Sequence, residues 1–414
     1  MERINVRKVI SSLDIGNNSV KLVVGEFTRG RLHILSASKV DNDIFNEEKS
    51  ESEKIIESID KVCSQTSNTL GIDIKKVILC IGTKKSRLIK ATGAIKIKGE
   101  DKIITGDDIT ELIQKCSENK IPNDYVLVGT QIVSFSIDGN DAIKNPKGKR
   151  SENLGLKAIL ITAPKIYVSG MLDIAAKAGL KVVDVVSSSI SDYYCYRNKF
   201  TKAGAGAIVN LGYSKTGISI FDRGLITNSK VYSLGGKNIV GDIAYAMNVD
   251  EKTAYALFND LTLASNKLAN PKEYRIVENL DNRKLKVNQY KLSEIASNRI
   301  TEILNLTKKQ INILTKKKIS YIIITGGLTE MRDFEIALKG SLNDSVTLGK
   351  INLIGARDNS YSTVIGSLCF FEEKLDIRDK NFTIFNDNEL KELNDGFKTS
   401  ETLLGKVFGY FFDN

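Results

Sequence analysis

Two segments half a chain apart follow the same pattern, and this repeat constrains the fold more than any other feature of the sequence. The first, LDIGNNSVKLVVGE (residues 13–26), is an apolar run, a tight polar turn and a second apolar run. The second, AIVNLGYSKTGISIF (residues 207–221), has Asn210 where the first has Asp14. An Arg-Gly pair and another short strand pattern follow each copy. We therefore predict two similar α/β lobes whose hairpins face each other across a cleft.

Each of the two turns has the composition of a phosphate-binding loop. Glycine lets the backbone approach a ligand, small polar residues tolerate positive φ, and the amides of such a turn can surround an anion. In the first copy Lys21 follows the turn, and the carboxylate of Asp14 is placed where it can hold the water shell of a metal ion. A single hairpin of this kind is more often a purely structural turn, so the prediction depends on the repetition.

The composition is typical of a globular protein that is kept in the cytoplasm. The 414 residues can bury a large core and suffice for two or more domains. Hydrophobic residues make up 42% of the chain and charged residues 27%, and no apolar run approaches the length of a bilayer span. The first residues also lack the apolar segment of a signal peptide.

Residues that are scarce or scattered argue against several classes of chemistry. The five cysteines have no C-x-x-C spacing, which favours reduced thiols over a zinc site or disulfides. His33 is the only histidine and lies in an alternating strand pattern, so a Ser-His-Asp or Cys-His mechanism is not expected. The net charge of +10 comes from lysines spread along the chain, and we expect no nucleic-acid partner.

The pattern along the chain predicts an insertion into the first lobe. Residues 82–162 contain short strand patterns around one helix, which begins at a capping-box sequence, Thr105 to Asp108. The predicted units, in chain order, are the first lobe (1–81), the inserted subdomain (82–162), a return to the first lobe (163–202), the second lobe (203–375) with its own insertion (about 238–315), a flexible linker (376–399) and a terminal amphipathic helix (400–414).

Two glycine pairs are predicted to border the cleft. Gly235-Gly236 precedes a helical pattern, so a helix N-terminus can approach phosphate or sugar there, and the alternative is a flexible turn. Gly326-Gly327 follows the buried strand pattern of residues 321–325, where glycines leave room for a flat ring against the backbone.

The last segment predicts an amphipathic helix on a tether. Residues 376–399 are polar with little periodicity, which indicates a flexible linker. Beyond them apolar residues recur on one helical face, Ser400 can cap the helix, and Glu401 suits its N-terminal dipole. Such a helix is typical of a reversible membrane anchor or of a segment that fills a partner's groove. The residues expected to contact the membrane are Leu403, Leu404, Lys406, Val407, Phe408, Phe411 and Phe412.

Together these motifs resemble the FtsA family of bacterial cell division proteins, in the actin and Hsp70 ATPase superfamily, over nearly the whole chain. The segments that carry the resemblance stand in the family's order. They are LDIGNNSVKLVVGE (13–26), the region 77–162 with its Q-x-x-x-x-x-x-D-G … P-x-G segment (131–148), SLGGKNIVGDIA (233–244), TGGL (325–328), STVIGSL (362–368), and the linker with its terminal helix. The resemblance implies a two-lobed actin-like (ribonuclease H-like) α/β ATPase fold with an FtsA-type inserted subdomain and a C-terminal amphipathic helix.

The resemblance also implies a function. It implies a peripheral protein at the division septum that binds ATP with Mg²⁺ and assembles with itself into a filament or dimer. Such a protein binds the C-terminal tail of FtsZ, holds FtsZ polymers at the cytoplasmic face of the cell membrane, and recruits other division proteins. Asp14 would contact the metal ion through its water shell. The implied nucleotide-binding residues are Asp14, Gly16, Asn17, Asn18, Lys21, Gly212, Tyr213, Ser214, Lys215, Thr216, Gly235, Gly236, Asn238, Gly326, Gly327 and Leu328.

Two departures from the family pattern bear on activity. The second phosphate loop usually begins Asp-x-Gly-x-Gly, whereas here residues 210–214 are Asn-Leu-Gly-Tyr-Ser, and an amide can neither act as a base nor neutralise a metal ion. A following helix usually carries Ala-Glu-x-x-Lys, and here Tyr255 and Phe258 replace the two polar contacts. We therefore expect weak ATP binding and no efficient turnover.

Three related functions compete with this interpretation. An Hsp70-type chaperone needs a peptide-binding domain after the ATPase lobes, and too little chain follows Glu373. A sugar kinase needs a catalytic carboxylate, and Asn210 counts against it. The alternative that stays open is an actin-fold adaptor of a pilus or secretion system, resembling PilM. PilM lacks a membrane helix, so residues 403–412 discriminate between the two.

Overall fold

The computed structural model describes residues 8–82, 84–341, 346–386 and 388–391. Its strands are β1 (Lys8–Ile15), β2 (Ser19–Thr28), β3 (Arg31–Asp41), β4 (Lys76–Ile81), β5 (Arg87–Lys96), β6 (Tyr125–Ile137), β7 (Asn140–Ile143), β8 (Asn153–Pro164), β9 (Lys181–Ser187), β10 (Ala205–Leu211), β11 (Thr216–Asp222), β12 (Leu225–Tyr232), β13 (Tyr274–Glu278), β14 (Lys284–Asn288), β15 (Tyr321–Thr325) and β16 (Val346–Leu348). Its helices are α1 (Glu51–Leu70), α2 (Gly106–Ser117), α3 (Lys165–Lys177), α4 (Ser188–Tyr196), α5 (Lys199–Ala203), α6 (Gly236–Met247), α7 (Glu251–Asp260), α8 (Gln289–Leu314), α9 (Phe334–Ser341) and α10 (Ser362–Ile377).

Two five-stranded sheets have the same topology, which accounts for the repeat in the sequence. The first has strand order β3-β2-β1-β4-β9, and the second has strand order β12-β11-β10-β15-β16. In each sheet three consecutive strands form an antiparallel meander, and two further strands continue it in parallel. Each lobe is therefore built around one copy of the repeated hairpin, and the predicted two-lobed α/β fold is confirmed.

The Arg-Gly pairs form equivalent turns at the far ends of the two hairpins. Both residues of each pair have positive φ: 51° and 74° at Arg29 and Gly30, 50° and 82° at Arg223 and Gly224. Two successive positive φ angles give a hairpin turn whose twist matches that of the flanking strands. The pairs therefore set the register in which β3 returns along β2 and β12 returns along β11.

Helices α4 and α10 pack against each other and connect the two lobes. The chain passes through α4 and the short α5 from β9 of the first sheet to β10 of the second, and α10 packs on β1, β2 and β4. Their close approach requires a glycine, because a Cβ on Gly366 would lie 1.6 Å from the carbonyl oxygen of Ser191. We call α4 and α10 the crossing helices.

Local sequence signals account for the helix that covers the first sheet. At α1, Ser50 and Glu53 form a reciprocal capping box, and Gly71 ends the helix in the left-handed conformation. Ile59 and Val62 on its inner face are fully buried against the sheet. The helix therefore begins and ends where its local cap residues place it.

Residues between β4 and α3 form a separate sheet, with strand order β5-β8-β6-β7. Helix α2 begins at the predicted capping box and packs its apolar face on β5 and β8, which gives this sheet a hydrophobic core of its own. In the second lobe, α6, α7, the β13–β14 hairpin and α8 stand between β12 and β15. Strands β13 and β14 of this hairpin pair in antiparallel register, from Tyr274 opposite Asn288 to Glu278 opposite Lys284.

The flexible-linker prediction is wrong for its first part. Helix α10 runs on to Ile377, and Ile384 and Phe385 are only 5% and 3% exposed. The backbone N–H of Ile384 donates to the carbonyl of Val9 at 2.9 Å, so the segment after α10 is hydrogen-bonded to β1 of the first lobe. The few apolar residues of this segment stand among polar neighbours, so the sequence showed no apolar pattern that would predict burial. The rest of the predicted linker beyond residue 391 and the terminal helix (400–414) lie outside the described residues.

Candidate functional site

A cleft of about 780 Å³ separates the lobes, and both repeated hairpins border it. The cleft brings together most of the nucleotide-site residues expected from the sequence. Those that line it are Asp14, Gly16, Asn17, Asn18, Lys21, Gly212, Tyr213, Ser214, Lys215, Gly236, Gly326, Gly327 and Leu328. Its volume lies within the range of small-molecule sites in proteins.

The two turns at the cleft have matching geometry. The N–H of Gly16 donates to the carbonyl of Ser19 at 3.0 Å, and the N–H of Gly212 donates to the carbonyl of Lys215 at 2.9 Å. A Cβ would stand 2.9 Å from that carbonyl oxygen at Gly16 and 3.0 Å at Gly212, so a larger residue would open either turn. The repeated sequence therefore produces two equivalent backbone cradles, one on each side of the cleft.

Asn42 holds the first cradle in shape, and the sequence reasoning missed it. Its amide nitrogen donates to the carbonyl of Gly16 at 2.9 Å and to the carbonyl of Asn17 at 3.1 Å. Its Oδ1 is buried without a hydrogen-bond partner among the described residues. Asn42 follows β3, and no local pattern marks it as a partner of a turn 25 residues earlier.

Lysines outnumber acidic groups around the cleft. Lys21 is only 7% exposed, and its Nζ lies 3.4 Å from Oδ2 of Asp14. Burial lowers the pKa of Lys215, and the neighbouring Lys84 lowers it further. Lys39 and Lys85 also line the cleft. Lysines beside backbone cradles are suited to hold a chain of phosphates.

The amide that stands in place of the second hairpin's usual aspartate is bonded to a buried carboxylate. Nδ2 of Asn210 donates to Oδ2 of Asp192 at 2.8 Å, and the hydroxyls of Ser362 and Thr363 donate to Oδ1 at 2.9 and 2.8 Å. Asp192 is 4% exposed, and burial raises the pKa of its carboxyl to about 6. The network joins both crossing helices to the second hairpin. It occupies the amide nitrogen of Asn210, which leaves Oδ1 as the free acceptor of that side chain.

Aromatic groups fill the side of the cleft where the family pattern would place a glutamate and a lysine. The hydroxyl of Tyr255 on α7 exchanges hydrogen bonds with the amide of Asn18 at 3.0 and 3.2 Å, which links the lobes directly across the cleft. The ring of Tyr255 also contacts Phe45 and Tyr213, with centroids 5.4 and 5.7 Å apart. Phe258 lines the cleft beside them. These aromatic residues can offer apolar ring faces to a ligand, but they provide no charged side chain to bind it.

Three of the expected residues support the loops and do not line the cleft. The hydroxyl of Thr216 donates to the carbonyl of Leu234 at 2.8 Å, and the Asn238 side chain accepts from the N–H of Gly235 at 3.0 Å. A Cβ on Gly235 would meet the carbonyl oxygen of Gly212 at 2.3 Å. These contacts bring the start of α6 against the second cradle.

Two features are absent from the described ranges of the chain. No group of three or more His, Cys, Asp or Glu side chains that could hold a metal ion occurs in the described ranges. Within the same ranges, no helix has the length and apolarity to cross a bilayer. The expected membrane contacts at residues 403–412 lie outside the ranges described.

Two family models match the chain. The model for the SHS2 domain inserted in FtsA matches residues 84–162, and the model for cell division protein FtsA matches residues 207–366. Together they cover more than half of the chain. The first match coincides with the four-stranded insertion, and the second begins in β10 and ends in α10.

Two FtsA proteins align with most of the length of this chain. The chain is 24% identical to cell division protein FtsA of Bacillus subtilis (strain 168) over 369 residues, which cover 88% of this chain and 84% of the relative. It is 21% identical to cell division protein FtsA of Escherichia coli (strain K12), covering 89% and 91% of the two chains.

Solved structures share the fold at lower identity. A chain of the PilM-PilN type IV pilus biogenesis complex has a TM-score of 0.57 at 12% identity, with 86% of this chain and 96% of that chain covered. MreB5 of Spiroplasma citri bound to ADP has a TM-score of 0.51 at 11% identity, with 90% and 99% covered. These likenesses establish an actin-like fold. With both family models matched in order and relatives aligned along most of its length, the chain belongs to the FtsA family of cell division proteins.

Proposed function

We propose that this actin-like division protein binds ATP with Mg²⁺ in the cleft, turns it over slowly, and tethers FtsZ filaments to the membrane as a self-assembling adaptor. The observation that carries the nucleotide site is the pair of matched glycine cradles facing a lysine-rich cleft. The cradles and Lys21 suit a triphosphate, and the glycines at 326 and 327 with the ring of Tyr255 leave a flat, largely apolar place for a base. The residues present therefore fit the group.

The side chains around the cleft have separable tasks in this proposal. Asp14 would hold the water shell of the metal ion, and Lys21, bonded to it, would neutralise a phosphate. Asn42 keeps the first cradle closed to the right width. The cleft residues of the two lobes would hold the negative charge of the nucleotide between them, which would favour contact between the lobes.

Slow turnover follows from the second hairpin. The Oδ1 of Asn210 can accept a hydrogen bond but cannot take a proton from water at neutral pH. The nearest carboxylate, Asp192, is buried beneath Asn210 and does not line the cleft. The second hairpin therefore presents no general base to a phosphate, and the second-lobe carboxylate that does line the cleft, Glu330, comes from the turn Gly327–Glu330 instead.

Nucleotide binding can be tested by titration calorimetry with ATP and Mg²⁺. We expect Asp14→Ala and Lys21→Ala to weaken ATP binding about tenfold or more, because each removes a charge-assisted contact. Lys61→Ala is the matched control, since Lys61 is exposed on α1 and away from the cleft. No heat with the unmodified chain at millimolar ATP would make the protein a pseudo-ATPase. Brisk phosphate release would contradict the role given to Asn210.

Membrane attachment is proposed for residues 403–412 on the basis of the helical apolar face in the sequence. A single tail would bind weakly, and a filament would align many tails, which can raise avidity by roughly a hundredfold or more. Phe408→Glu with Phe411→Glu should release the protein from anionic vesicles while its circular dichroism spectrum stays unchanged. Continued sedimentation of this variant with vesicles would refute the anchor.

Binding of the FtsZ tail distinguishes the proposal from a pilus adaptor. Family membership supports the FtsZ partner, whereas the likeness to PilM concerns the fold alone. We expect a peptide of the FtsZ C-terminal tail to bind the full chain, and a peptide of the same composition in scrambled order serves as the control. Failure to bind at tens of micromolar would remove FtsZ from the proposal without affecting the nucleotide site.

A further inference from the structure

A second cavity, of about 280 Å³, lies where three parts of the chain meet, and we call it the junction pocket. Strand β6 of the insertion, the crossing helices and the turn between β11 and β12 all contribute to its walls. It shares no lining residue with the cleft between the hairpins. It is therefore a separate place to look for a ligand.

The walls of the junction pocket are fixed by a buried side chain. Gln131, 5% exposed on β6, donates through Nε2 to the carbonyl of Gly224 at 3.0 Å and accepts from the N–H of Ile226 at 2.7 Å. Gly224 has a φ of +82°, and a Cβ there would stand 2.9 Å from the Tyr193 hydroxyl. These contacts hold the second lobe's turn against the insertion, so the pocket is a built feature of the described fold.

Positive charge dominates the junction pocket. Its lining contains Lys144, Arg197, Lys202, Arg223, Lys374 and Arg378, and Glu373 is the one acidic side chain in that lining. Glu373 already accepts from Tyr194 at 2.5 Å and pairs with Arg197. Lys374 pairs with Asp184, and Arg223 lies 3.7 Å from Asp222. The carboxylates therefore balance only part of the cationic lining.

Two buried donors of the junction pocket lack acceptors among the described residues. The hydroxyl of Tyr193, a residue only 2% exposed, is buried without a partner in hydrogen-bond geometry in the described chain; burial raises its pKa, and the nearby Thr201 side chain opposes that rise. The Nε of Arg378 is likewise buried without a hydrogen-bond partner there, and burial lowers the pKa of this guanidinium. Buried polar atoms without partners are rare in native proteins, and each calls for an explanation such as a bound ion.

We propose that the junction pocket binds a small oxyanion carrying two or more negative charges, in the size class of phosphate or pyrophosphate. Such a ligand accepts hydrogen bonds from Tyr193 and Arg378 inside the pocket and is neutralised by Lys202 and Arg223 nearer its rim. A guanidinium and a hydroxyl in a partly buried setting are strong donors to phosphate oxygens. Because the insertion, both crossing helices and the second lobe all line the pocket, a ligand bound there would also hold these parts in one arrangement.

The test uses pyrophosphate as the probe in titration calorimetry at fixed ionic strength, with full-length protein carrying Lys21→Ala to weaken the cleft. We expect this protein to retain pyrophosphate binding. Adding Arg378→Met should weaken the binding at least tenfold, and adding Tyr193→Phe should weaken it several-fold. Arg31→Met, at an exposed arginine on β3 outside both cavities, is the matched control and should change nothing.

The outcomes separate the junction pocket from the cleft. Tyr193→Phe removes only a hydroxyl that makes no hydrogen bond, so it provides the readout if Arg378→Met fails to fold by circular dichroism. Pyrophosphate binding that survives both substitutions unchanged, or that disappears with Lys21→Ala alone, overturns the proposal. The same protein's ATP titration is scored separately, since failure of the cleft to bind ATP leaves the junction pocket result intact.

Discussion

Replacing Asn210 by aspartate should make the stability of this protein depend on pH above about pH 6. The substitution restores the residue that usually opens the family's second phosphate loop, but it places a carboxylate 2.8 Å from the carboxylate of Asp192. Two carboxylates at that distance share one proton, because their mutual repulsion prevents both from ionising. Keeping this proton in the folded state lowers the free energy of unfolding as the pH rises.

The magnitude follows from the pKa of Asp192. In the parent protein burial raises this pKa from 3.8 to about 6, so the folded state binds more protons than the unfolded state between these values and its stability falls as pH rises. Above pH 6 Asp192 is ionised in both states, and the dependence ends. In Asn210→Asp the pair keeps one proton, so the fall continues at about 1.4 kcal/mol for each further pH unit.

The variant should therefore be at least about 1.4 kcal/mol less stable than the parent at pH 7 and about 2.7 kcal/mol less stable at pH 8. Below pH 6 the difference should stay constant, because both folded proteins then hold one extra proton. Urea unfolding followed by circular dichroism at pH 5, 6, 7 and 8 measures these free energies.

The double variant Asn210→Asp with Asp192→Asn is the decisive control. It reverses the donor and acceptor across the same contact and leaves Oδ1 of residue 192 to accept from Ser362 and Thr363. We expect stability to return to within about 1 kcal/mol of the parent and the slope above pH 6 to disappear. A difference between Asn210→Asp and the parent that is the same at pH 6 and pH 8 would refute this account of the buried network.

Three further predictions concern single contacts. Gly366→Ala should destabilise the protein by about 3 kcal/mol or fail to fold, because the new methyl group meets the Ser191 carbonyl; alanine at Gly170, which has open space, is the control in thermal unfolding. Ile384→Ala should cost about 2 to 5 kcal/mol in urea unfolding if residues near 384 are part of the core, and a cost near zero would restore the linker interpretation. Tyr255→Phe should remove the contact with Asn18 and widen the cleft in solution scattering of the ligand-free protein; an unchanged profile would show that other contacts close it.

Much of the fold could be predicted because its signals are local. Residues that set a turn or a cap lie within a few positions of the end that they specify, as Ser50 and Glu53 do at the start of α1 and Gly71 does at its end. The repeated hairpins are likewise specified within about fifteen residues each, by apolar strands around a glycine turn. Their recurrence then predicted two facing lobes, and the structure places both turns on one cleft.

The candidate site could be predicted only in part, for a physical reason. The composition of the two turns predicted the glycine cradles. The side chains that support the cradles are distant from them in the sequence. No local sequence pattern indicated that Asn42 supports a turn. Asp192 lies in a helix of mostly small and aromatic residues, where a carboxylate would be expected to face solvent. What makes it buried and bonded to Asn210 is the packing of α4 against α10, which no window of sequence contains.

The sequence by itself determined the strand-turn-strand repeat and the capped helices, because these depend on backbone preferences and side-chain periodicity over short spans. Only the tertiary structure decided which buried polar groups are paired, which is why Asp192 has three donors while Tyr193 beside it has no acceptor in the described residues. The same holds for residue 384, which is drawn into the core by a backbone contact with Val9. A polar or apolar side chain gains its partners from whatever the fold brings next to it, and that neighbourhood is a property of the whole packed chain.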